Sequence, residues 1–410
     1  MKYAILIGDG MADEPQDKLD GRTPLEAAHT PAMDALVQHG TTGLYWPIPE
    51  GMPAGSEIGN LSLFGYDPRH SFKGRAPMEA ANQGITLAAD EVAFRCNLAT
   101  LSDGVMRDFT AGHISSEEGA AIVDSLNEAL GPRFPVRFHN GVGYRHLAIV
   151  RAQAGATVAD YVDTDCAPPH DIMDQPHEPH WPKGPGAKLV TEIMRASHDV
   201  LAEHPVNRQR TANNQLPATS IWLWGQGVAP KITPYQERFG LSGAVISAVD
   251  LVNGIGLLAG FEVVRVPGAT GWIDTNYAGK VSHGLDALDR HDLVYIHIEA
   301  PDETSHQGRT DLKLKAIEDF DAQVVAPFLA EIIEKKRSLR LLVAPDHFTL
   351  LRTKGHGSGA TPFAMAGPGV PVCGQTAYSE QSAAATGIRI TEGFRVTEWM
   401  LTREPLAFAG

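Results

Sequence analysis

Four short apolar runs along the chain end abruptly at polar or acidic residues. They are KYAILI before Gly8-Asp9-Gly10, SIWLWG before Gln226, DLVYIHIEA before Pro301-Asp302, and LRLLVAP before Asp346-His347. Continuous apolar runs of this length are typical of strands buried on both faces, as in parallel sheets. Helical patterns lie between them, at 30–40, 247–260 and 312–336. The alternation predicts an α/β fold with a mainly parallel sheet flanked by helices.

The middle of the chain has a different pattern, interrupted by a segment rich in Pro and His at 167–186. A long strand is predicted at 91–101, a hairpin at 136–150, and helices at 115–131 and 188–205. This mixture is typical of a smaller α+β domain. We therefore predict two domains, listed here by their ranges: a core formed by 1–87 and 216–410, and an inserted domain over 88–215. The chain is expected to return to the main sheet at SIWLWGQG.

Composition excludes several classes of function. Lys and Arg number 34 and Asp and Glu number 49, so the net charge is −15 and no overall basic field is available to hold DNA or RNA. Cys96, Cys166 and Cys373 lie too far apart for a disulfide framework or a zinc knuckle, which indicates reduced thiols. The N-terminal apolar stretch is shorter than the ~7–15 residues of a signal peptide. Polar residues interrupt the apolar segment 243–260, which favours a core helix over a membrane span. We expect a soluble cytoplasmic protein with no membrane or nucleic-acid partner.

Residues of metal-ligating type follow three of the four apolar runs. They are Asp9, Asp302 with His306, and Asp346 with His347, and a further His356 lies in the segment KGHGSG. Because open parallel sheets bind ligands beyond the carboxyl ends of their strands, these side chains are expected at one edge. Carboxylates and imidazoles together suit Zn, Mn or Fe, whereas Mg is less well served by nitrogen donors.

The spacing of these residues indicates how they share an ion. Asp302 and His306 are four residues apart, so both face the same way if PDETSH begins a helix. Asp346 and His347 are adjacent and diverge from one point of the backbone, which favours two ions or one ion bridged from a strand end. Each residue taken alone is more often a cap, turn or surface residue. The combination of acidic strand ends with three histidines predicts a metal site.

A second cluster lies in GMPAGSEIGNLSLFGYDP, at 51–68, where Ser56 precedes a helix-like apolar run. A hydroxyl at a helix N-terminus lies beside free backbone N–H groups, where phosphate binds well. Taken alone, the segment also suits an ordinary Ser N-cap followed by Glu57. A serine hydroxyl needs a base or a metal ion to act as a nucleophile, and the chain has no G-x-S-x-G motif. Activation by a metal ion would connect Ser56 with the first cluster.

A series of segments occurs along the chain in a specific order. They are GDGMADEP, TPLEAAHTPAMDAL, GSEIGNLSLFGYDP, GRAPMEAANQGI, EVAFRCNLATL, PPHDI, GATGWIDTNYAGK, HIEAPDETSHQG, PDHFT and the late His356. The pattern resembles the archaeal-type cofactor-independent phosphoglycerate mutases, a branch of the alkaline phosphatase superfamily that does not use 2,3-bisphosphoglycerate. The resemblance runs from Met1 to the final helix EGFRVTEWML. It implies an alkaline-phosphatase-like core with an inserted domain.

The resemblance also implies roles for individual residues. Ser56 would be the nucleophile that becomes phosphoserine. One divalent ion would be held by Asp9, Ser56, Asp346 and His347, and a second by Asp302, His306 and His356. The ions would be Mn or Mg, as in the mutases, with Zn, as in the related phosphatases, as a third candidate. Cationic side chains from both domains would bind the substrate, and the candidates are Arg95, Arg145, His146, Arg208, Arg210 and Lys280.

The implied activity is the interconversion of 3-phosphoglycerate and 2-phosphoglycerate, an isomerase step of glycolysis and gluconeogenesis. Since water entry would turn such an enzyme into a phosphatase, the inserted domain is expected to act as a substrate-binding lid. Glu57 and Asn60 depart from the residues that relatives carry, Asp and His respectively. Some bacterial relatives are proposed homoserine kinases, so the alternative is a metal-dependent phosphotransferase of that type or a phosphatase. The lack of a P-loop counts modestly against a kinase, and a homo-oligomer is compatible with the sequence.

Overall fold

The computed structural model describes residues 1–153 and 155–402. The strands, in chain order, are β1 Lys2–Gly8, β2 Gly40–Tyr45, β3 Glu91–Ser102, β4 Val105–Asp108, β5 Val136–Val142, β6 Arg145–Arg151, β7 Ser220–Gly227, β8 Gly243–Ile246, β9 Glu262–Val263, β10 Leu293–Ile298, β11 Leu339–Ala344, β12 Phe348–Leu350, β13 Gly355–Gly357, β14 Thr361–Ala366 and β15 Arg389–Ile390.

The α-helices, in the same order, are α1 Pro24–Ala27, α2 Pro31–Gln38, α3 Ser56–Leu63, α4 Pro68–Ser71, α5 Ala76–Asn82, α6 Ser116–Leu130, α7 Val158–Val162, α8 Ala187–Ala202, α9 Pro205–Ala212, α10 Tyr235–Arg238, α11 Asp250–Leu258, α12 Tyr277–Arg290, α13 Ala300–His306, α14 Thr310–Phe320, α15 Ala326–Ile333, α16 Glu380–Ala385 and α17 Arg395–Leu401. A π-helical turn, Asp321–Val325, joins α14 to α15. Among the described residues, every helix is too short or too polar to cross a bilayer.

The main sheet has a parallel centre. In spatial order its strands are β15, β2, β14, β11, β1, β10, β8 and β9. β1 pairs in parallel with both β10 and β11, and β10 pairs in parallel with β8, whereas β14 runs antiparallel to β11 and β2. The predicted α/β fold with a mainly parallel sheet is confirmed.

The central strands end level with one another. In the register of the sheet, Ile7 of β1 lies beside His297 of β10 and Ala344 of β11. Residues that follow these strands therefore leave the sheet at one common edge. Asp9, Asp302 and Asp346 follow β1, β10 and β11, so all three lie at this edge of the sheet.

The sheet is apolar because helices cover it. All residues of β10 and β11 are buried. Leu6, Ile296 and Val343 pack in one core with Leu36 of α2 and Phe328 of α15. Burial removes apolar surface from water, which stabilises by about 25 cal/mol per Å² and explains why these strands are unbroken apolar runs.

The described chain separates into two compact units, Met1–Phe72 with Lys231–Gly410, and Lys73–Pro230. The second unit extends beyond the predicted segment 88–215 at both ends because α5 and β7 belong to it. α5 packs on β3, and β7 is hydrogen-bonded to β3.

The sheet of the second unit is antiparallel throughout its described strands. Its order is β4, β3, β6, β5, and β7 pairs with β3. The prediction that SIWLWG belongs to the main parallel sheet is therefore wrong. Trp222 and Leu223 of β7 are buried, and α8 packs on this strand. An apolar run reports burial on both faces and carries no information about the direction of its neighbours.

The predicted helices and hairpin of the second unit are confirmed. α6 begins with a capping box, in which Ser115 accepts from the backbone N–H of Glu118 and the Glu118 side chain accepts from Ser115 N–H. β5 and β6 form the hairpin, and α8 occupies the predicted helix at 188–205 apart from its last residues.

Candidate functional site

The acidic residues of the site follow three central strands of the main sheet, β1, β10 and β11. Asp9 follows β1, and Asp346 follows β11, both almost completely buried. β10 leads directly into α13, whose first turn carries Asp302. His306 lies one turn later on α13, and its Nε2 is 3.1 Å from Asp302 Oδ2. The expectation that these two residues share one helical face is confirmed.

Ser56 occupies the first position of α3, preceded by Gly55 as the N-cap residue. Its Oγ lies 3.1 Å from Nε2 of His347. The helix approaches Asp346 closely because of Gly59: a Cβ there would be only 2.2 Å from the Asp346 carbonyl oxygen. The alternative of an ordinary Ser N-cap does not hold, because Ser56 lies inside the helix and remains partly exposed.

The ligand-type atoms form two groups, each with its atoms within 4.8 Å of one another. The Asp9 group consists of Asp9, His297 and Asp346, and the Asp302 group consists of Asp302, His347 and His356. The His347 Nε2 atom also lies 3.3 Å from Asp9 Oδ1 and 3.6 Å from Asp346 Oδ2. His347 therefore contacts residues of both groups.

His306 and His356 complete the outer side of the site. The two Nε2 atoms are 3.1 Å apart, and His356 Nε2 lies 3.5 Å from Asp302 Oδ1. His306 Nδ1 is 2.9 Å from the carbonyl oxygen of Lys354, which accepts a hydrogen bond and leaves Nε2 facing the site. Direct contacts thus connect all seven residues to which the resemblance assigned metal ligation. The division between two ions stays a prediction.

The electrostatics of the site fit divalent cations. Burial, followed by the charges of Asp346 and Asp302, raises the pKa of Asp9 well above its usual value. Asp9 Oδ1 and His297 Nε2 are buried and make no hydrogen bond to any described residue. Unpaired buried carboxylates are costly, and a bound cation reverses that cost. Oxygen and imidazole donors in this arrangement are those that Mn, Zn and similar ions bind.

Burial and neighbouring charge act in opposite directions on the other side of the site. Burial opposes ionisation of Asp302, but hydrogen bonds from His306 and His356 hold the pKa of Asp302 well below its usual value. Burial also disfavours protonated His306, yet the Asp302 carboxylate raises the pKa of His306 to about 9. Burial lowers the pKa of His347, which keeps its ring neutral.

His297 is a site residue that the sequence analysis missed. It lies in the middle of β10, fully buried, with Nε2 3.1 Å from Asp9 Oδ2. A histidine inside the apolar run DLVYIHIEA was the available signal. Its meaning depends on the pairing of β10 with β1, which the sequence does not reveal.

Asn60 was noted only as a departure from relatives, yet it lies beside the site. Its Nδ2 donates to Asp346 Oδ2 at 2.7 Å and to the Ser56 carbonyl at 2.9 Å. Its Oδ1 accepts from the Tyr295 hydroxyl at 2.6 Å. The spacing of four residues from Ser56 on a helix was the signal that could have identified it.

Lys280, a predicted substrate ligand, lies on α12 and is completely buried. Its Nζ donates to the carbonyl oxygen of His297 at 3.3 Å. Burial lowers the pKa of Lys280 to about 8. The side chain thus supports the backbone of β10, next to the Asp9 group.

Three other predicted substrate ligands lie on adjoining strands of the second unit. In the register of β3 and β6, Cys96 is opposite His146, and Asn97 is opposite Arg145. Arg95 is buried, with Nε 3.0 Å from Glu79 Oε2 and its guanidinium 4.3 Å from the centre of the Trp224 ring. Arg95 and Arg145 therefore lie on the same face of this sheet, whereas His146 is buried on the opposite face beside Gly119 of α6.

The remaining arginines differ from these. Arg208 lies on α9 in an exposed ion pair with Glu203, 3.5 Å long. Arg210 is buried and donates to Glu118 at 2.7 Å and to the carbonyl oxygens of Leu216 and Ala111. These bonds use its guanidinium to hold the second unit together, so Arg210 is structural.

An α/β sheet that gathers carboxylates, imidazoles and a serine hydroxyl at its carboxyl edge has the residue types of a divalent-metal enzyme site. A family model described as 2,3-bisphosphoglycerate-independent phosphoglycerate mutase matches residues 37–207. A probable 2,3-bisphosphoglycerate-independent phosphoglycerate mutase from Geobacter sulfurreducens is 49% identical over 409 residues, covering 98% of this chain and 100% of its own. A Methanosarcina acetivorans protein named as the same mutase is 49% identical over 365 residues, covering 89% and 90%. The chain belongs to the 2,3-bisphosphoglycerate-independent phosphoglycerate mutase family.

Solved structures agree with this assignment. A Pyrococcus horikoshii protein superimposes with a TM-score of 0.80 at 28% identity, covering 100% of this chain and 99% of its own. A cofactor-independent phosphoglycerate mutase from Thermoplasma acidophilum gives a TM-score of 0.65 at 26% identity, covering 98% and 99%. The similarity therefore extends over both units of the chain.

Proposed function

We propose that this protein interconverts 3-phosphoglycerate and 2-phosphoglycerate, without 2,3-bisphosphoglycerate, through a phosphoserine at Ser56. The observation that carries the proposal is the contact of 3.1 Å between Ser56 Oγ and His347 Nε2 inside a site of carboxylates and imidazoles. Membership of the mutase family supports the substrate. The partly exposed position of Ser56 at a helix N-terminus supports its role as the phosphate acceptor.

In the first half-reaction, a bond forms between Ser56 Oγ and phosphorus while the bond from phosphorus to the substrate oxygen breaks. The proton that Ser56 releases balances the proton that the freed glycerate oxygen takes up. In the second half-reaction, the other glycerate hydroxyl loses its proton and attacks the phosphoserine. Ser56 Oγ then leaves and is protonated again, so the enzyme returns to its starting state.

Several side chains hold this chemistry in place. Without a bound ion, the lone pair of His347 Nε2 accepts from the Ser56 hydroxyl, and with an ion bound the same lone pair would serve as its ligand. Asn60 binds both the Ser56 carbonyl and Asp346. Divalent ions, Mn or Mg with Zn as the third candidate, would neutralise phosphoryl oxygens and lower the pKa of the Ser56 hydroxyl. The proposed ligands are Asp9, Ser56, Asp346 and His347 for one ion, and Asp302, His306 and His356 for the other.

The second unit is proposed to bind the anionic groups of the substrate and to keep water from the phosphoserine. The position of Arg95 and Arg145 on one face of β3 and β6 supports this role, and His146, buried on the other face, stays a candidate without that support. Arg208 of the same unit and Lys280 of the first unit remain candidates for binding these anionic groups. The reaction is proposed to serve glycolysis and gluconeogenesis in the cytoplasm.

The test is an enolase-coupled assay of purified protein with Mn, Mg or Zn. We expect turnover of 3-phosphoglycerate, and we expect Ser56→Ala to lower kcat by at least ~10³-fold because the acceptor oxygen is lost. Full activity of Ser56→Ala would exclude the covalent route. A protein that ignores 3-phosphoglycerate but phosphorylates homoserine with ATP would be the alternative phosphotransferase. Release of phosphate without isomerisation would indicate a phosphatase.

A further inference from the structure

Thr349 lies between ligand-type residues that come from different strands. It is the middle residue of β12, fully buried, and stands opposite His356 in the β12–β13 hairpin. Its Oγ1 is 2.5 Å from Asp302 Oδ1 and 3.1 Å from His347 Nδ1. A single hydroxyl therefore touches two members of the Asp302 group.

The direction of these hydrogen bonds follows from the chemistry of the partners. A carboxylate only accepts, so the Thr349 hydroxyl donates its proton to Asp302 Oδ1. The Thr349 oxygen is then an acceptor toward His347 Nδ1, which must carry a proton. The carbonyl oxygen of Phe348, 3.2 Å from the same Nδ1, is also an acceptor and requires the same proton. The His347 lone pair is consequently on Nε2, the atom that faces Ser56 and Asp9.

Residues around Thr349 hold it in this position through close packing and hydrogen bonds to its backbone. Gly10 has φ of +60°, and a Cβ there would be 2.2 Å from Thr349 Oγ1 and 2.9 Å from Asp302 Oδ1. Lys313, fully buried, donates to the Thr349 carbonyl at 2.7 Å and pairs with Asp13 at 2.9 Å. The Thr349 amide donates to the Ala12 carbonyl at 3.2 Å. The backbone N–H of Thr349 is thus bound by the loop that follows β1, and its carbonyl oxygen is bound by Lys313 of α14.

We propose that Thr349 is a positioning residue, which links Asp302 to His347 and holds His347 as the Nδ1–H tautomer. The lone pair of Nε2 is thereby kept available to a metal ion or, when no ion is bound, to the Ser56 hydroxyl. The consequence for turnover rests on the proposed function, whereas the tautomer and the affinity for metal do not.

The test compares Thr349→Val, which removes the hydroxyl at nearly constant volume, with Thr349→Ser, which keeps it. Thr41→Val is the matched control, because Thr41 is buried in β2 and its Oγ1 makes no hydrogen bond to a described residue. Long-range ¹⁵N–¹H spectra of histidine-labelled, metal-free protein report the tautomer, with His347 assigned by His347→Gln. Titration with Mn²⁺ reports affinity, and the coupled assay separates kcat from KM.

We expect wild type and Thr349→Ser to show the Nδ1–H pattern for His347. Thr349→Val should lose a pure Nδ1–H pattern and bind Mn²⁺ about 10- to 100-fold more weakly, as is usual when a group that orients a metal ligand is removed. Its kcat should fall more than its KM rises. Thr41→Val should keep wild-type values in all three measurements.

An Nε2–H tautomer of His347 in wild-type protein would overturn the inference, even if Thr349→Val failed to fold. Unchanged tautomer and Mn²⁺ affinity in Thr349→Val would overturn it as well, and so would equal losses in Thr41→Val. If wild type lacks mutase activity while Thr349→Val still alters the tautomer and the affinity, the role of Thr349 stands and the proposed function falls.

Discussion

The Asp9 group and the Asp302 group contain the same kinds of side chain, yet their charges are balanced in opposite ways. Asp302 accepts hydrogen bonds from Thr349 and contacts two histidines, which hold its pKa low. Asp9 is more deeply buried and faces Asp346, and its Oδ1 has no hydrogen bond to a described residue. The protein therefore surrounds Asp302 with hydrogen-bond donors, whereas the Asp9 group is the one at which we propose that a cation supplies positive charge.

From this difference we expect a bound cation to stabilise the folded state more at the Asp9 group than at the Asp302 group. A cation at the Asp302 group competes with His306, whose pKa is raised to about 9 by the same carboxylate. A cation at the Asp9 group meets two buried carboxylates, Asp9 and Asp346. Burial lowers the pKa of the neighbouring His297 and His347, which disfavours their charged forms.

Metal removal should have the largest effect on stability. At Mn²⁺ concentrations of 100 to 1,000 times the Kd, binding stabilises the folded state by about 3–4 kcal/mol. We expect urea unfolding of wild type to show this difference between Mn²⁺ and EDTA, and Asp9→Asn to lose most of it. Glu380→Gln is the control, because Glu380 begins α16 and accepts a hydrogen bond from the Thr23 hydroxyl at the start of α1. This variant should keep the full effect. Identical unfolding of wild type in Mn²⁺ and EDTA would contradict the prediction.

In metal-free protein, asparagine substitutions at Asp302 and at Asp9 should have different effects on the free energy of unfolding. Asp302→Asn removes the charge that His306 and His356 balance, and should cost about 2 kcal/mol of unfolding free energy. Asp9→Asn removes a carboxylate that burial and Asp346 already disfavour, so the free energy should stay level or rise. Urea titrations in EDTA at neutral pH measure both. Equal losses in the two variants would show that the groups are alike.

Asn60 should matter through the Asp346 carboxylate. Asn60→Ala leaves Asp346 Oδ2 and the Tyr295 hydroxyl without this partner, and should cost about 1–3 kcal/mol. Tyr295→Phe, which removes only one of these bonds, should cost about 1 kcal/mol. Urea unfolding in EDTA ranks the two variants. A larger loss in Tyr295→Phe would contradict this ranking, because that variant keeps the ring and the bond from Asn60 to Asp346 and loses only the hydroxyl.

Glu380 separates the effect of burial from that of neighbouring carboxylates. Burial raises the pKa of Glu380 to about 7. Because the folded state then binds its proton more tightly than the unfolded state, stability falls as pH rises from the ordinary glutamate value to about 7. Glu380→Gln should remove this part of the pH dependence and gain most, relative to wild type, above pH 7. Parallel urea titrations at pH 5 and pH 8 give the difference, and an equal gain at both would contradict it.

Local patterns predicted those parts of the site that lie within one element. Asp302 and His306 are one turn apart on a single helix, and Ser56 begins a helix marked by Gly55. Such relations need only the helical repeat. The assignment of SIWLWG to the main sheet failed because an apolar run does not identify its partner strand.

Short-range patterns were sufficient to predict the fold class, the acidic strand ends and the residue types of the site, because burial, helix periodicity and turn chemistry act over a few neighbouring positions. The contacts of His297, Asn60 and Thr349 with these carboxylates became visible in the folded chain alone. Their contacts join segments far apart in the chain, for example 286 residues for Asn60 and Asp346. Strand order and register create those contacts, and many pairs of distant segments would satisfy the same local pattern.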